Sequence, residues 1–451
     1  MDLKDFYLSE YGRISSVPSP VSRMMAEVAA EFRIDKDINL GVGYVNENTI
    51  PRERILEALE AIINNPGKYK LALNYGGPHG SDNLITSLKN YYTSNHIGGL
   101  SEDLLNRNEI IIGPNGATSL LEGTARVLSP GIVITSDPMY YIYCDYLERE
   151  GFEIITISED PNGIRTDLLE EKLQKLGKRL EQLSFFYIVT INNPTCSILS
   201  NDRRREIIRI VSRVSEKLGR KVPLIFDKAY EDLIHDPAVI PPESGLIHDS
   251  HDLVYEVGTI SKILSPALRI GYMIGPDSPF IQAMVQKTSD AGFSAPLITQ
   301  EIAGYLLEHH IDRQLDQVNK GYRLKAEKTA GWVKEHLGEH LEEITGGQAG
   351  FYFYLTFKNT LTQEGSSFFK FLSRSTGDPD IDGPKENKTP KVIYLPGQFC
   401  VHPEGVLVEK GSRQLRLSYG FEELEKIERA IIQMKQAVEY AGEHSGIAHK
   451  S

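Results

Sequence analysis

The feature that most limits the fold is a rhythm of short apolar runs separated by stretches with helical spacing. The runs are EIIIG (109–113), GIVITS (131–136), FEIITI (152–157), SFFYIVTI (184–191), VPLIFD (222–227), LVYEVG (253–258) and IGYMIG (270–275). They are short, β-branched and apolar at consecutive positions, which predicts strands buried on both faces. Helical spacing fills the intervals, as at 118–128 and 202–218. This alternation predicts an α/β fold: a mostly parallel central sheet covered by helices. Ahead of it, Pro18 and Pro20 break an arm that turns helical from about 22 to 32, and 54–63 reads as a helix. Behind it, a long helical region (296–341) leads to FYFYLTF (351–357), VIYL (392–395) and LRLSY (415–419), which predict a smaller α+β domain. The expected division is an arm at 1–48 that joins the small domain, a large α/β domain at 49–310 and a small C-terminal domain at 311–451. Residues 374–391 are polar, with three prolines and two glycines, and read as a mobile surface insertion. The tail EHSGIAHKS reads as disordered.

Composition narrows the function classes. Of 451 residues, 40% are hydrophobic and 25% charged, as in ordinary globular proteins. No apolar run approaches the roughly 18 residues of a membrane span. The start, MDLKDFYLSEYGR, lacks the apolar core of a secretory signal. Cys144, Cys196 and Cys400 form neither a disulfide framework nor a zinc spacing, and point to the reducing cytoplasm. The net charge of −13 disfavours a nucleic-acid partner, whose phosphates need a basic face.

The chemistry gathers at strand ends. Thr259-Ile-Ser261-Lys262 follows the strand ending at Gly258, and Arg269 stands seven residues on. An amine, two hydroxyls and a guanidinium at a sheet's carboxyl edge suit a phosphorylated ligand, because open α/β sheets bind ligands there. Asp227-Lys-Ala-Tyr230 closes VPLIFD, and Asn192-Asn193-Pro194-Thr195 closes SFFYIVTI. Gly113-Pro-Asn-Gly116-Ala117-Thr118 lies between a strand and a helix, where free N–H groups attract anions. Asp137-Pro138-Met139-Tyr140 follows another strand and brings an aromatic ring that can stack on a flat ligand. Taken singly, each is an ordinary turn, cap or solvated side chain.

In chain order the series resembles the fold-type I pyridoxal-phosphate enzymes, specifically the class I/II aminotransferases, from about Asn39 to Phe421. The resemblance implies roles. Lys262 forms a Schiff base with the cofactor aldehyde and then shuttles a proton. Asp227 keeps the pyridine nitrogen protonated, Asn193 and Tyr230 bind the ring oxygen, and Tyr140 stacks on the ring. Ala117, Thr118, Thr259, Ser261 and Arg269 cradle the phosphate. Arg416, in Arg413-Gln-Leu-Arg416, clamps the substrate α-carboxylate, with Asn193 and the Gly43 backbone beside it. Tyr75, in Asn74-Tyr75-Gly-Gly, reaches the phosphate of a partner subunit, so the resemblance implies a homodimer with shared sites acting on an amino acid and a 2-oxo acid.

Two positions depart from the family pattern: Cys196 stands where Asn-Pro-Thr is usually followed by glycine, and Gly43-Tyr44-Val45 replaces the usual Gly-x-Pro. The same scaffold also serves β-lyases, synthases and decarboxylases, and some regulators carry it behind a winged helix. About 40 residues precede the catalytic-type region, short for such a module. A non-catalytic ligand-binding role fits poorly with an intact lysine, aspartate and arginine. Arg13 and Arg23 are candidates to meet an acidic substrate side chain. His336-Leu-Gly-Glu339-His340 matches an inverted zinc-peptidase motif, but without a third ligand it reads as a solvated helix face running to Gly346. His309-His310 reads as helix surface. No metal site is expected.

Overall fold

The computed structural model describes residues 6–30, 32–384 and 387–444. After two arm helices, Glu10–Ser15 and Pro20–Ala30, the chain forms a two-residue strand, β1 (Ile38–Asn39). The central sheet then takes β2 (Asn108–Ile112), β3 (Ile132–Asp137), β4 (Glu153–Asp160), β5 (Gly163–Ile164), β6 (Leu183–Val189), β7 (Leu224–Asp227), β8 (Val254–Thr259) and β9 (Gly271–Pro276). Their order is β2-β9-β8-β7-β6-β3-β4-β5. The pairs β4/β3, β3/β6, β6/β7 and β7/β8 are parallel. The run IGYMIG departs from its neighbours: β9 is antiparallel to both β8 and β2. Burial on both faces hides this difference in the sequence, since both directions need the same apolar residues.

Helices Gly116–Val127, Asn201–Leu218 and Pro279–Gly292 cover the sheet with apolar faces. Two cores result. One packs Ile134, Phe186, Ile188 and Phe226 on the first face of the sheet. The other packs Val133, Phe185, Tyr187 and Ile225 on the second. Consecutive residues therefore enter opposite cores, as the period of a strand requires.

The long helical region breaks at His310 into Leu297–His309 and Ile311–Leu337. His310 is not simple helix surface, because its ring meets the Glu57 carboxylate at 3.0 Å. A smaller sheet follows, with β10 (Leu341–Gly346), β11 (Tyr352–Phe357), β13 (Leu395–Pro396) and β14 (Gln414–Ser418) in the order β10-β11-β14-β13. The strand read as VIYL is divided. β12 (Val392–Ile393) pairs in parallel with β1, whereas β13 joins the small sheet. The stretch 341–346 is an edge strand and not the tail of a helix. Its exposed Glu342 and Glu343 mask the alternation that would mark it. His336 thus lies on a helix and His340 in the turn after it, so the i,i+4 helical spacing of the zinc motif is broken. No group that could hold a metal ion is found among the described residues.

Polar residues 374–384 and 387–391 are stitched in place. Asp382 accepts from the N–H and hydroxyl of Thr376, and Arg33 donates to the carbonyls of Lys388 and Thr389 at 2.8 and 3.1 Å. Residues 385–386 and the tail beyond 444 lie outside the described residues.

Candidate active site

Strands β2, β3, β6, β7 and β8 all run the same way, so the segments that follow them emerge at one edge. Reversal of β9 brings its amino end, with Arg269, to that same edge. The result is a pocket of about 150 Å³ lined by Ala117, Thr118, Tyr140, Asn193, Asp227, Tyr230, Thr259, Ser261, Lys262 and Arg269. Leu121, Val189, Ala229 and Pro266 complete its wall. A wider cleft of about 670 Å³, at Glu47–Arg54 and His310–Val318, holds none of these groups.

One end of the pocket is an anion cradle. Helix Gly116–Val127 begins at Asn115 with no side chain capping it, which leaves its first-turn N–H groups and positive dipole end for a ligand. Gly116 has φ +69°, and a β-carbon there would press on the Arg269 guanidinium. Arg269 is itself left-handed, at φ +55°. Its Nε donates to Asn115 Oδ1 at 2.8 Å, which holds the guanidinium beside the helix start. Thr259 Oγ1 donates to the Ile270 carbonyl at 2.7 Å and accepts from the Ser261 hydroxyl at 2.8 Å. Both hydroxyls are thereby oriented.

The opposite end is a buried carboxylate. Asp227 Oδ1 accepts the Ala229 N–H at 3.0 Å and Oδ2 accepts the Tyr187 hydroxyl at 2.8 Å. Burial nevertheless pushes its acid form up in pH, beyond what these two bonds offset. A cation held against such a carboxylate would favour its ionised form. Between the ends lies Lys262, whose Nζ donates to the Gly43 carbonyl at 3.0 Å. Burial, then the charges of Arg416 and Arg269, bring its ammonium down to about 8. The rings of Tyr230 and Phe351 stand 5.8 and 5.6 Å from that nitrogen.

Arg416, on β14, is buried beside this pocket. Its Nη1 donates to Asn193 Oδ1 and its Nη2 to the Gly41 carbonyl, each at 2.6 Å, while Nε has no partner among the described residues. Its guanidinium lies 4.2 Å from the Tyr352 ring centroid. The Tyr352 hydroxyl is 2.9 Å from that of Tyr230. Gly43 permits this arrangement, since a β-carbon there would lie 2.5 Å from the Tyr352 oxygen. Cys196 adopts a left-handed backbone, at φ +52°. Its sulfur occupies space left by Gly350, where a β-carbon would come within 2.7 Å.

Tyr75 does not line the pocket. It is 71% exposed, with its ring 5.3 Å from that of Phe293, itself 60% exposed. Arg13 and Arg23 do not line it either; they pair on the surface with Glu10 and Glu364. Sequence reasoning passed over Tyr187, Tyr352, Phe351 and Asn115. Tyr187 left one signal, a hydroxyl flanked on both sides by apolar residues.

Amine, carboxylate and anion cradle at the carboxyl edge of a mostly parallel sheet define a type I pyridoxal-phosphate fold. The sequence model of aminotransferase class I and II matches residues 35–391. The chain belongs to that family of pyridoxal-phosphate-dependent transferases, and is an enzyme of that class. Among its relatives, an uncharacterized HTH-type transcriptional regulator of Bacillus subtilis, YisV, is 24% identical over 87% of this chain and 72% of its own length. The 2-aminoadipate transaminase of Thermus thermophilus is 24% identical over 70% of this chain and 74% of its own. In structure, the chain resembles a multiple substrate aminotransferase from Thermococcus profundus. The TM-score is 0.81 and the identity 21%, over 97% of this chain and 98% of that one.

Proposed function

We propose that the protein moves an amino group between an α-amino acid and a 2-oxo acid with pyridoxal 5′-phosphate as cofactor. The observation that carries this reading is Lys262 Nζ in one pocket with a buried carboxylate at one end and an anion cradle at the other. The donor set suits the cofactor: a cradle for its phosphate, Asp227 for its ring nitrogen, Asn193 and Tyr230 for its ring oxygen, and Tyr140 for its ring face. When bound, the cofactor supplies an electron sink for negative charge at the substrate α-carbon. Asp227 keeps that sink charged. Lys262 would offer its amine to the cofactor aldehyde and, once released, would carry a proton between the substrate α-carbon and the carbon that bore the aldehyde. Arg416 binds the α-carboxylate in two-point geometry, which a lysine does not reproduce. The aromatic walls of Tyr140, Tyr230 and Tyr352 keep water from the reacting carbon.

Three further readings go with this one. The pairing of β1 with β12 supports an arm (1–48) that works with a small domain (311–451) against a large domain (49–310). Exposed Tyr75 supports a homodimer in which each subunit completes its partner's cradle. Three buried thiols without a disulfide suit the cytoplasm.

The test is a panel of amino donors against 2-oxoglutarate and pyruvate, followed by cofactor spectra in each half-reaction. Borohydride treatment and peptide mapping accompany it. Cofactor fixed to Lys262 and amino transfer to an oxo acid are expected. Label on another lysine rejects the site, and products formed without an oxo-acid acceptor favour a lyase or decarboxylase.

A further inference from the structure

Tyr187 sits in the middle of β6, fully buried, where its neighbours Phe185, Phe186 and Ile188 are plain apolar residues. A buried hydroxyl in such a place costs free energy unless it is bonded. Its one hydrogen bond runs to Asp227 Oδ2, at 2.8 Å, across the β6/β7 pair in which Val189 is in register with Asp227. The ring is held edge-on against Tyr143, with centroids 4.7 Å apart. The hydroxyl is thus aimed by packing and does not hang on a flexible stem.

We propose that Tyr187 is a positioning residue that keeps the Asp227 carboxylate ionised and turned toward the cofactor's ring nitrogen, an inference that rests on the cofactor reading above. The carboxylate needs such help. It is buried, and nearby charges partly oppose each other: Lys262 favours its ionised form and Glu231 disfavours it. Tyr140 and Tyr143, whose hydroxyls also feel its charge, are held neutral by burial. Lys228, the next residue along, turns away and donates to Glu256 at 2.9 Å. Asp227 is left with two donors, the Ala229 N–H on Oδ1 and the Tyr187 hydroxyl on Oδ2. A donor to a charged carboxylate favours the charged form, so its loss moves protonation to higher pH.

The experiment uses the full chain, freed of cofactor, as wild type, Tyr187→Phe and Asp227→Asn. Each is titrated with pyridoxal phosphate and with its analogue carrying carbon in place of the ring nitrogen. Binding is read by protein fluorescence and not by turnover. The wild type should prefer the natural cofactor, and Asp227→Asn should erase most of the preference. Tyr187→Phe should reduce it by about tenfold, the equivalent of one pKa unit. It should leave the analogue's affinity unchanged and move the acid limb of natural-cofactor binding to higher pH. Equal weakening for both cofactors would mean that the tyrosine only packs the strand, and would overturn the proposal, as would an unchanged preference. A second variant guards against misfolding: 3-fluorotyrosine at 187 has nearly the same volume and a stronger donor, and should move the acid limb to lower pH. No movement there also overturns the proposal. A wild type that binds neither compound removes the cofactor reading itself, whereas one that binds normally beside an indifferent Tyr187→Phe removes only this inference.

Discussion

At the scale of single residues, environment separates the reactive groups from their chemical equals. Lys262 differs from a surface lysine because burial, Arg416 and Arg269 disfavour its charge. With its ammonium near 8, about a tenth of the amine is neutral at pH 7, against less than about a thousandth for an unperturbed lysine. Neutral amine is the nucleophile, so capture of added cofactor by the apoprotein should speed up as pH rises through about 8 and level off above it. Stopped-flow absorbance reads this directly. A rate still climbing steeply from pH 9 to pH 10 would place the lysine's pKa near its ordinary value. Cys196 and Gly350 give a second expectation. Gly350→Ala puts a β-carbon against the Cys196 sulfur and forces a side chain onto φ +62°. A loss of about 2–3 kcal/mol is expected from the two effects together. In a Cys196→Gly background only the backbone part should remain, a coupling of about 1–2 kcal/mol. Denaturant midpoints for the four proteins test it, and simple additivity would reject the contact. The residues legible in the sequence were those that end strands beside turn formers, such as Asp227, Asn193 and Lys262. Tyr352 and Tyr187 escaped because their work depends on partners, 122 and 40 residues away in sequence, that only folding brings near.

At the scale of elements, the pocket follows from strand direction. Five parallel strands deliver their carboxyl ends to one edge, but the Arg269 guanidinium arrives from a strand that runs the other way. This requires β9 to lie close against the start of helix Gly116–Val127. Gly271 makes the approach possible: a β-carbon there would collide with the backbone of Gly116 and Ala117. The Gly271→Ala variant should therefore push the helix start away from Arg269 and weaken binding of any phosphorylated ligand. A loss of about tenfold or more in cofactor affinity is expected, with a lowered melting temperature, because backbone and not a flexible side chain must move. Affinity for non-phosphorylated pyridoxal should fall much less, and an equal fall for both would detach Gly271 from the cradle. The central strands were legible because burial on both faces writes itself as an apolar run. Their directions were not, since a parallel and an antiparallel strand in the same sheet need the same residues. The edge strand β10 was misread for the opposite reason. One face and one edge meet water, and Glu342 and Glu343 there imitate a solvated helix.

At the scale of the whole molecule, Tyr75 poses a question that one chain does not answer alone. A residue that the family resemblance assigns to the phosphate stands outside the pocket, 71% exposed. Leu71, Leu73 and Phe293 are also large, apolar and exposed, at 66%, 76% and 60%. Apolar groups gathered on a surface are commonly the mark of an interface. A two-fold axis through that surface makes any residue lent by one subunit returned by the other. The expected assembly is a dimer in which Tyr75 completes the partner's cradle. Complementation tests it: Tyr75→Ala and Lys262→Ala, each weak alone, are unfolded together and refolded. In a mixed dimer one site inherits both lesions and the other neither. Random pairing makes about half of the dimers mixed, so about a quarter of all sites should be intact and activity should return to roughly that fraction. If Tyr75 served its own chain, every site would carry one lesion and nothing would be recovered. Mass measurement of the mixed dimer separates that outcome from a failure of the subunits to exchange. The amount of recovery carries information too. A return well above a quarter would mean that mixed dimers form preferentially, whereas a return well below it, with exchange complete, would mean that the lesioned site disturbs its neighbour across the axis.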